Sequence, residues 1–208
     1  MIDPQGINVV AFDCDGVMFD SSQANRAYYN HILAHFGMPS MTAGQFAYAH
    51  MHTVDQTLEY LIPDTDMLSA ARQYRRKMRY LSFIRYMVVE PTLKVLLEKL
   101  TPAFKTAIAT NRTDTMDRVL SEHHLEGQFD IVVTASDVRY PKPHPEQLNV
   151  IVKHFDIDPQ QMIYIGDSLL DAQAAKAAAV PFIAYCNPDL SADAHIVSLQ
   201  QIESILGL

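Results

Sequence analysis

Five short, largely apolar runs punctuate the chain, at 8–12, 106–109, 131–134, 162–165 and 182–185. Runs this brief, rich in Val, Ile, Phe and Ala, fit parallel strands covered on both faces. The stretches 113–124, 145–155 and 169–179 between the later runs read as helices. Strand and helix in alternation predict an α/β fold, a doubly wound parallel-sheet (Rossmann-like) core. Ligands of such sheets sit at the carboxyl ends of the strands.

One interval breaks the alternation. From 17 to 90 no convincing strand appears, only helical patterning. A first helix over 21–36 has Ser21 or Ser22 as its cap, Gly37 at its end and Pro39 beyond. The stretch 67–87 is long, rich in Ala, Leu, Arg and Met, and shares this helical patterning. The expected organisation is therefore a catalytic core formed by 1–16 and 91–208, with 17–90 as an inserted α-helical cap domain. The insert carries a net charge of +1 and leaves −9 on the remainder. It is the less repulsive wall for an anion, although a solvated helix face explains the difference nearly as well.

Length and composition narrow the classes. A chain of 208 residues holds one full core plus a smaller insert. The net charge of −8 leaves no excess of Lys and Arg for nucleic-acid phosphates. No apolar run reaches the roughly 18 residues that span a bilayer, and the first residues lack a secretion signal. Cys14 and Cys186 are too few for a disulfide framework, so a cytoplasmic location is expected, although the pair could bond. Neither nucleic acid nor membrane is expected as a partner.

Four groups of residues carry candidate chemistry. Asp13 and Asp15 end the first run, where i and i+2 of a strand share a face and Cys14 points away; Gly16 then releases the chain into a turn. Such a pair can share a cation or divide nucleophilic and acid–base work. Thr110-Asn111 follows the second run, where a hydroxyl and amides suit phosphate oxygens or a helix cap equally. Lys142 lies among Pro141, Pro143 and Pro145 in a stiff loop, as a fixed charge or as a plain surface lysine. Gly166-Asp167-Ser168-Leu169-Leu170-Asp171 follows the fourth run, with Asp167 and Asp171 one turn apart; Asp167 and Ser168 also read as a helix cap.

Taken together and in this order, Asp13-Cys14-Asp15-Gly16-Val17, Thr110, Lys142 and Gly166-Asp167 with Asp171 resemble the haloacid dehalogenase-like hydrolase superfamily. The helical insert resembles its helical-cap class, which includes phosphoglycolate phosphatase and β-phosphoglucomutase. The resemblance implies a phosphatase of small phosphorylated metabolites, such as phosphoglycolate or a sugar phosphate. It implies Asp13 as nucleophile, forming an aspartyl-phosphate, and Asp15 as acid and base. Thr110, Asn111 and Lys142 would bind phosphate. Mg2+ would be held by Asp13, the Asp15 carbonyl and Asp167, with Asp171 supporting it. For an acidic protein, a divalent metal also solves the problem of bringing a dianion to its own carboxylates.

The alternatives are a phosphomutase and a non-catalytic regulatory protein that keeps the fold. Asn25 stands where mutases of the β-phosphoglucomutase type carry a histidine. Asp15 speaks against carbon–halogen cleavage, and Lys77, an arginine-flanked helical lysine, is the insert's one candidate for Schiff-base chemistry. Arg72, Arg75, Arg76 and Arg79 read as a solvated helix face or an anion site. His31 with His35 and His50 with His52 have spacings that a metal site uses. Met38, Met41, Met51, Met67, Met78 and Met87 suit an adaptable cap interior or ordinary packing. His144 follows Lys142 by two residues, close enough to touch a substrate.

Overall fold

The computed structural model describes residues 2–78, 80–101 and 103–208; Arg79, in the arginine row above, lies outside them. The chain divides into two compact units, one formed by Met1–Phe19 with Val89–Leu208 and one by Asp20–Val88. In chain order, the first strand β1 is Val9–Phe12, followed by a two-residue strand β2, Phe19–Asp20. The helices α1 Ser22–His35, α2 Ala43–Met51, α3 Val54–Leu61, α4 Thr65–Lys77 and α5 Leu81–Ile84 come next. Strand β3, Val88–Val89, precedes α6 Leu93–Leu100, β4 Lys105–Thr110, α7 Met116–Glu122 and β5 Ile131–Thr134. The chain closes with α8 Glu146–Phe155, β6 Met162–Gly166, α9 Leu169–Ala178, β7 Phe182–Tyr185, β8 Ala194–Ile196 and α10 Gln201–Leu206.

The core unit is an α/β fold around a six-stranded parallel sheet of order β5-β4-β1-β6-β7-β8. The five expected strands are all there, and β5 and β7 keep their expected bounds. Strand β1 is central, with Phe12 level with Ile108 of β4 on one side and Ile165 of β6 on the other. That register brings the residues after β1, β4 and β6 out at one edge, and the strand order reverses direction at β1. All four residues of β1 and all five of β6 are buried, which is why these strands read as unbroken apolar runs.

The interval 17–90, expected to hold no strand, contains the two-residue strands β2 and β3, which pair with each other, and within it the helical stretch 67–87 is interrupted. Helix α4 ends at Lys77, where Met78 adopts an extended conformation (ψ 127°), and only a short turn of helix, α5, follows. Asp64 starts α4 by accepting from the Met67 N–H at 2.8 Å. Two more helices, α2 and α3, each open on a reciprocal Thr/Gln capping box, Thr42 with Gln45 and Thr53 with Gln56. Tyr28, Ile32, Leu33, Leu58, Leu61 and Ile62 form the core of this unit, and Met38, Met41, Met67 and Met78 pack in or against it.

Candidate active site

The residues that carry the candidate chemistry, from Asp13 to Asp171, all belong to the core unit. Strand β1 ends at Phe12, but the Asp13 N–H still donates to the Ile165 carbonyl at 2.9 Å, so Asp13 leaves the sheet in register with β6. The chain then turns, with both Met18 and Phe19 donating to the Cys14 carbonyl at 3.1 Å. Gly16 sits in this turn at φ +83°, and a Cβ there would overlap the Asp167 carboxylate. A Cβ on Gly166 would likewise overlap the Asp171 side chain. Both glycines are therefore required by close approach of an acidic side chain, one of them also by a left-handed backbone.

Lys142 is not a surface residue: 2% of it is exposed. Its Nζ shares three N–H donors among four acceptors within hydrogen-bond distance, Asp13 Oδ1 at 2.8 Å, Asp171 Oδ1 at 2.7 Å, the Tyr164 hydroxyl at 2.8 Å and the Ala109 carbonyl at 3.0 Å. The side-chain amide of Asn111 fixes the lysine's main chain, donating to its carbonyl and accepting from its N–H. The Lys142–Pro143 peptide is cis. Gln147, at the start of α8, donates to the Thr110 carbonyl at 2.7 Å and ties that helix to the end of β4.

At the start of α9, Ser168 is the N-cap: its hydroxyl accepts from the Asp171 N–H at 3.2 Å, and the Asp171 carboxylate accepts from the Ser168 N–H at 3.0 Å. Capping thus falls to Ser168 and leaves the Asp167 carboxylate for the cluster. Oxygens of Asp13, Asp167 and Asp171 lie within 4.8 Å of one another and could together hold a metal ion. Asp171 spends Oδ1 on Lys142 and Tyr164 and Oδ2 on Ser168, so Asp13 and Asp167 offer the less committed oxygens.

The electrostatics follow from this geometry. Burial pushes the Asp13 carboxyl up to about 7, against the pull of the Lys142 ammonium. Burial, then Asp171 and Asp13, hold Asp167 well above the usual carboxylate range. Burial also opposes ionisation of Asp171, but Lys142 and the donors Ser168 and Tyr164 bring it below that range. For Lys142, burial is outweighed by Asp13 and Asp171, which raise its pKa. Once ionised, three carboxylates around one ammonium carry more negative charge than Lys142 balances, and a divalent cation in place of the protons would neutralise it.

The sequence matches the haloacid dehalogenase-like hydrolase family over residues 10–185. The chain belongs to that family. Among relatives, pyrophosphatase PpaX of Bacillus pumilus is 29% identical over 175 residues, covering 83% of this chain and 80% of that protein. Phosphoglycolate phosphatase of Shigella boydii is 30% identical over 207 residues, covering 86% and 81%. A crystal structure of a hydrolase of this superfamily, subfamily IA, from Geobacter sulfurreducens has a TM-score of 0.80 at 35% identity, covering 97% of each chain. The parallel sheet with its helical insertion is the fold of this hydrolase family.

Of the residues that carry the family pattern, Asp13, Lys142, Asp167 and Asp171 meet in one buried cluster. The Thr110 hydroxyl accepts from the Arg112 N–H at 3.2 Å. Asp15 goes elsewhere. A shared strand face for Asp13 and Asp15 requires β1 to continue through both, and it stops at Phe12; the Asp15 carboxylate accepts instead from Arg112 Nη2 at 2.6 Å. Sequence patterning singles out neither Arg112 nor Tyr164 and Gln147. The available signal was position: Arg112 directly follows Thr110-Asn111, and Tyr164 is a hydroxyl inside an otherwise apolar strand.

Most of the remaining candidates have structural partners. In the helical unit, His31 bonds to the Tyr74 hydroxyl at 3.0 Å, and His35 stacks on the Tyr74 ring at 3.8 Å. His50 meets Asn25 at 3.3 Å, and His52 bonds the Tyr48 carbonyl. Among the described residues the one acidic or His/Cys group arranged for a metal is the aspartate cluster. Arg72 pairs with Glu59 and with Asp55, Lys77 is exposed, and Asn25 is buried against Ser21, His50 and Tyr80. In the core unit, exposed His144 approaches Glu146 at 3.8 Å. Cys14 is buried, Cys186 is exposed, and both are free thiols. Among the described residues no helix is long and apolar enough to cross a membrane.

Proposed function

We propose that this hydrolase is a Mg2+-dependent phosphatase that hydrolyses a small phosphorylated metabolite through an aspartyl-phosphate on Asp13. The observation that carries this reading is the buried Lys142 ammonium, 2.8 Å from Asp13 and 2.7 Å from Asp171. It sets a fixed positive charge beside the nucleophile, where a transferring phosphoryl group gathers negative charge. The donor set fits a hard divalent cation: the carboxylates are oxygen ligands, and Gly16, lacking a Cβ, lets the Asp167 carboxylate approach the turn that follows Asp13. Asp13, the Asp15 carbonyl and Asp167 would hold Mg2+, and Asp171 would support them from the Lys142 side. When bound, the ion supplies charge that lets a dianionic ester approach an acidic cluster.

The chain's own residues then divide the work. Asp13 attacks phosphorus as the ester P–O bond breaks, and Asp15 gives its proton to the departing oxygen. Asp15, now a carboxylate, takes a proton from the water that attacks the aspartyl-phosphate, which frees Asp13 and inorganic phosphate. The Thr110 hydroxyl, the Asn111 N–H and Lys142 bind the phosphoryl oxygens. The helical unit is the substrate-selecting cap in this reading, and the protein works in the cytoplasm on a soluble ester, without nucleic acid or membrane as partner.

The relatives' names point to phosphoglycolate and pyrophosphate as first substrates to try. The test is a panel of phosphoglycolate, sugar phosphates, nucleotides and pyrophosphate, with and without Mg2+, read by inorganic phosphate release. Isomerisation of a sugar phosphate without phosphate release would instead mark a phosphomutase. Inertness toward the whole panel would favour a regulatory protein that keeps the fold.

A further inference from the structure

We propose that Arg112 is a positioning residue for the acid–base step: its guanidinium holds the Asp15 carboxylate where protons are exchanged with the leaving oxygen and with water. The proposal rests on the phosphatase reading above. Arg112 Nη2 donates to Asp15 Oδ1 at 2.6 Å, and the two side chains are only 7% and 14% exposed, so solvent screens the pair weakly. The arginine is itself anchored. Its Nη1 donates to Thr115 Oγ1 at 3.2 Å, its N–H to Thr110 Oγ1 at 3.2 Å, and its carbonyl accepts from the Ala135 N–H at 2.8 Å.

Asp15 lies on a turn past the end of β1, where strand pairing does not set its side chain, and the Arg112 contact restrains its carboxylate. A planar, pre-organised fork limits the rotamers of a carboxylate better than the point charge of a lysine does. Correct placement is the larger part of what a general acid contributes. Arg112 itself touches neither substrate nor phosphorus in this scheme. It acts through Asp15.

The experiment compares kcat/KM with Mg2+ on two probes, for wild type, Arg112→Ala and Arg112→Lys. With p-nitrophenyl phosphate the departing phenolate is weakly basic and needs little proton donation; with glycerol phosphate the departing alkoxide needs a full proton. This parameter stops at formation of the aspartyl-phosphate and so isolates proton donation. In Arg112→Ala the glycerol phosphate value should fall by about 10²–10⁴-fold, and the aryl ester value by less than about tenfold. Arg112→Lys should lie between. The aryl ester kcat should also fall, because Asp15 is the base for the common hydrolysis step.

Equal losses on the two esters, or no loss on either, would overturn the positioning role while leaving the phosphatase reading intact. Should Arg112→Ala fail to fold, Arg112→Lys carries the same comparison: selective loss supports the role and equal loss overturns it. Should the wild type ignore both probes, the same comparison is made on its best alkyl phosphate and on pyrophosphate from the panel; inertness toward the whole panel would overturn the phosphatase reading, and this proposal with it.

Discussion

The side-chain amide of Asn111 and the main chain of Lys142 exchange two hydrogen bonds, each of 3.1 Å. Two loops that follow different strands are thereby locked together, and the lysine's stem is aimed before any substrate arrives. Both residues are buried, so Asn111→Ala leaves a donor and an acceptor of Lys142 unsatisfied. The variant should lose about 1–3 kcal/mol of stability in urea unfolding. Turnover should fall by up to about 10²-fold through misplacement of the ammonium. Unchanged stability would show that the paired amide is dispensable.

Lys142→Met removes the cation from between Asp13 and Asp171 while keeping most of its volume. Leaving buried carboxylates without their partner costs about 3–5 kcal/mol, visible as a lower urea midpoint of the metal-free protein. Adding Asp171→Asn should restore part of that loss without restoring Mg2+-dependent turnover. A double variant no more stable than the single one would contradict the charge argument.

Gly16→Ala tests the room made for Asp167. The new methyl must displace that carboxylate, and Mg2+ affinity by calorimetry should drop by about 10–100-fold, the range seen when support around metal ligands is disturbed. Gly37→Ala is the control: its φ is +68°, but nothing lies within 4 Å of the added atom. It should cost stability of about 1 kcal/mol from backbone strain alone and leave Mg2+ affinity untouched.

The acidity of Asp13 sets a pH dependence. Burial raises its pKa from 3.8 to about 7, so the metal-free fold is most stable with Asp13 protonated and loses stability as pH rises through about 7. Mg2+ competes with that proton, so its stabilisation should grow over the same range. In thermal melts, the Tm gain from added Mg2+ should be larger at about pH 8 than at about pH 5.5. The opposite order would contradict the assignment of Asp13 to the cation.

Much of the fold could be read from the sequence because the central strands β1 and β6 are buried on both faces, which makes 9–12 and 162–165 unbroken apolar runs. Strand β8 could not be read that way: Ala194-His195-Ile196 is short and has an exposed histidine. The break after Lys77 was hidden because Arg-, Lys- and Met-rich sequence favours helix on both sides of it. Helices α2 and α3 left a usable signal in their Thr-x-x-Gln capping boxes.

At the site, the family spacing pointed to Asp13, Lys142, Asp167 and Asp171 because each follows a strand end. The same spacing could not distinguish a buried lysine from an exposed one, because that depends on Tyr164, 22 residues away in sequence. Nor could it separate Asp15 from Asp13, because the division arises where β1 ends and Arg112 approaches from β4. The clamp that the Asn111 side chain makes on the Lys142 main chain left no mark in the sequence, because the two residues lie 31 positions apart.

The central claim is that Asp13 performs the chemistry, and Asp13→Asn tests it most directly. The measurement is Mg2+-dependent phosphate release from p-nitrophenyl phosphate and from the best ester of the panel, with circular dichroism on the same samples. The account predicts a folded protein whose turnover falls to background on every ester. Phosphate release near the wild-type rate from a folded Asp13→Asn variant would contradict it.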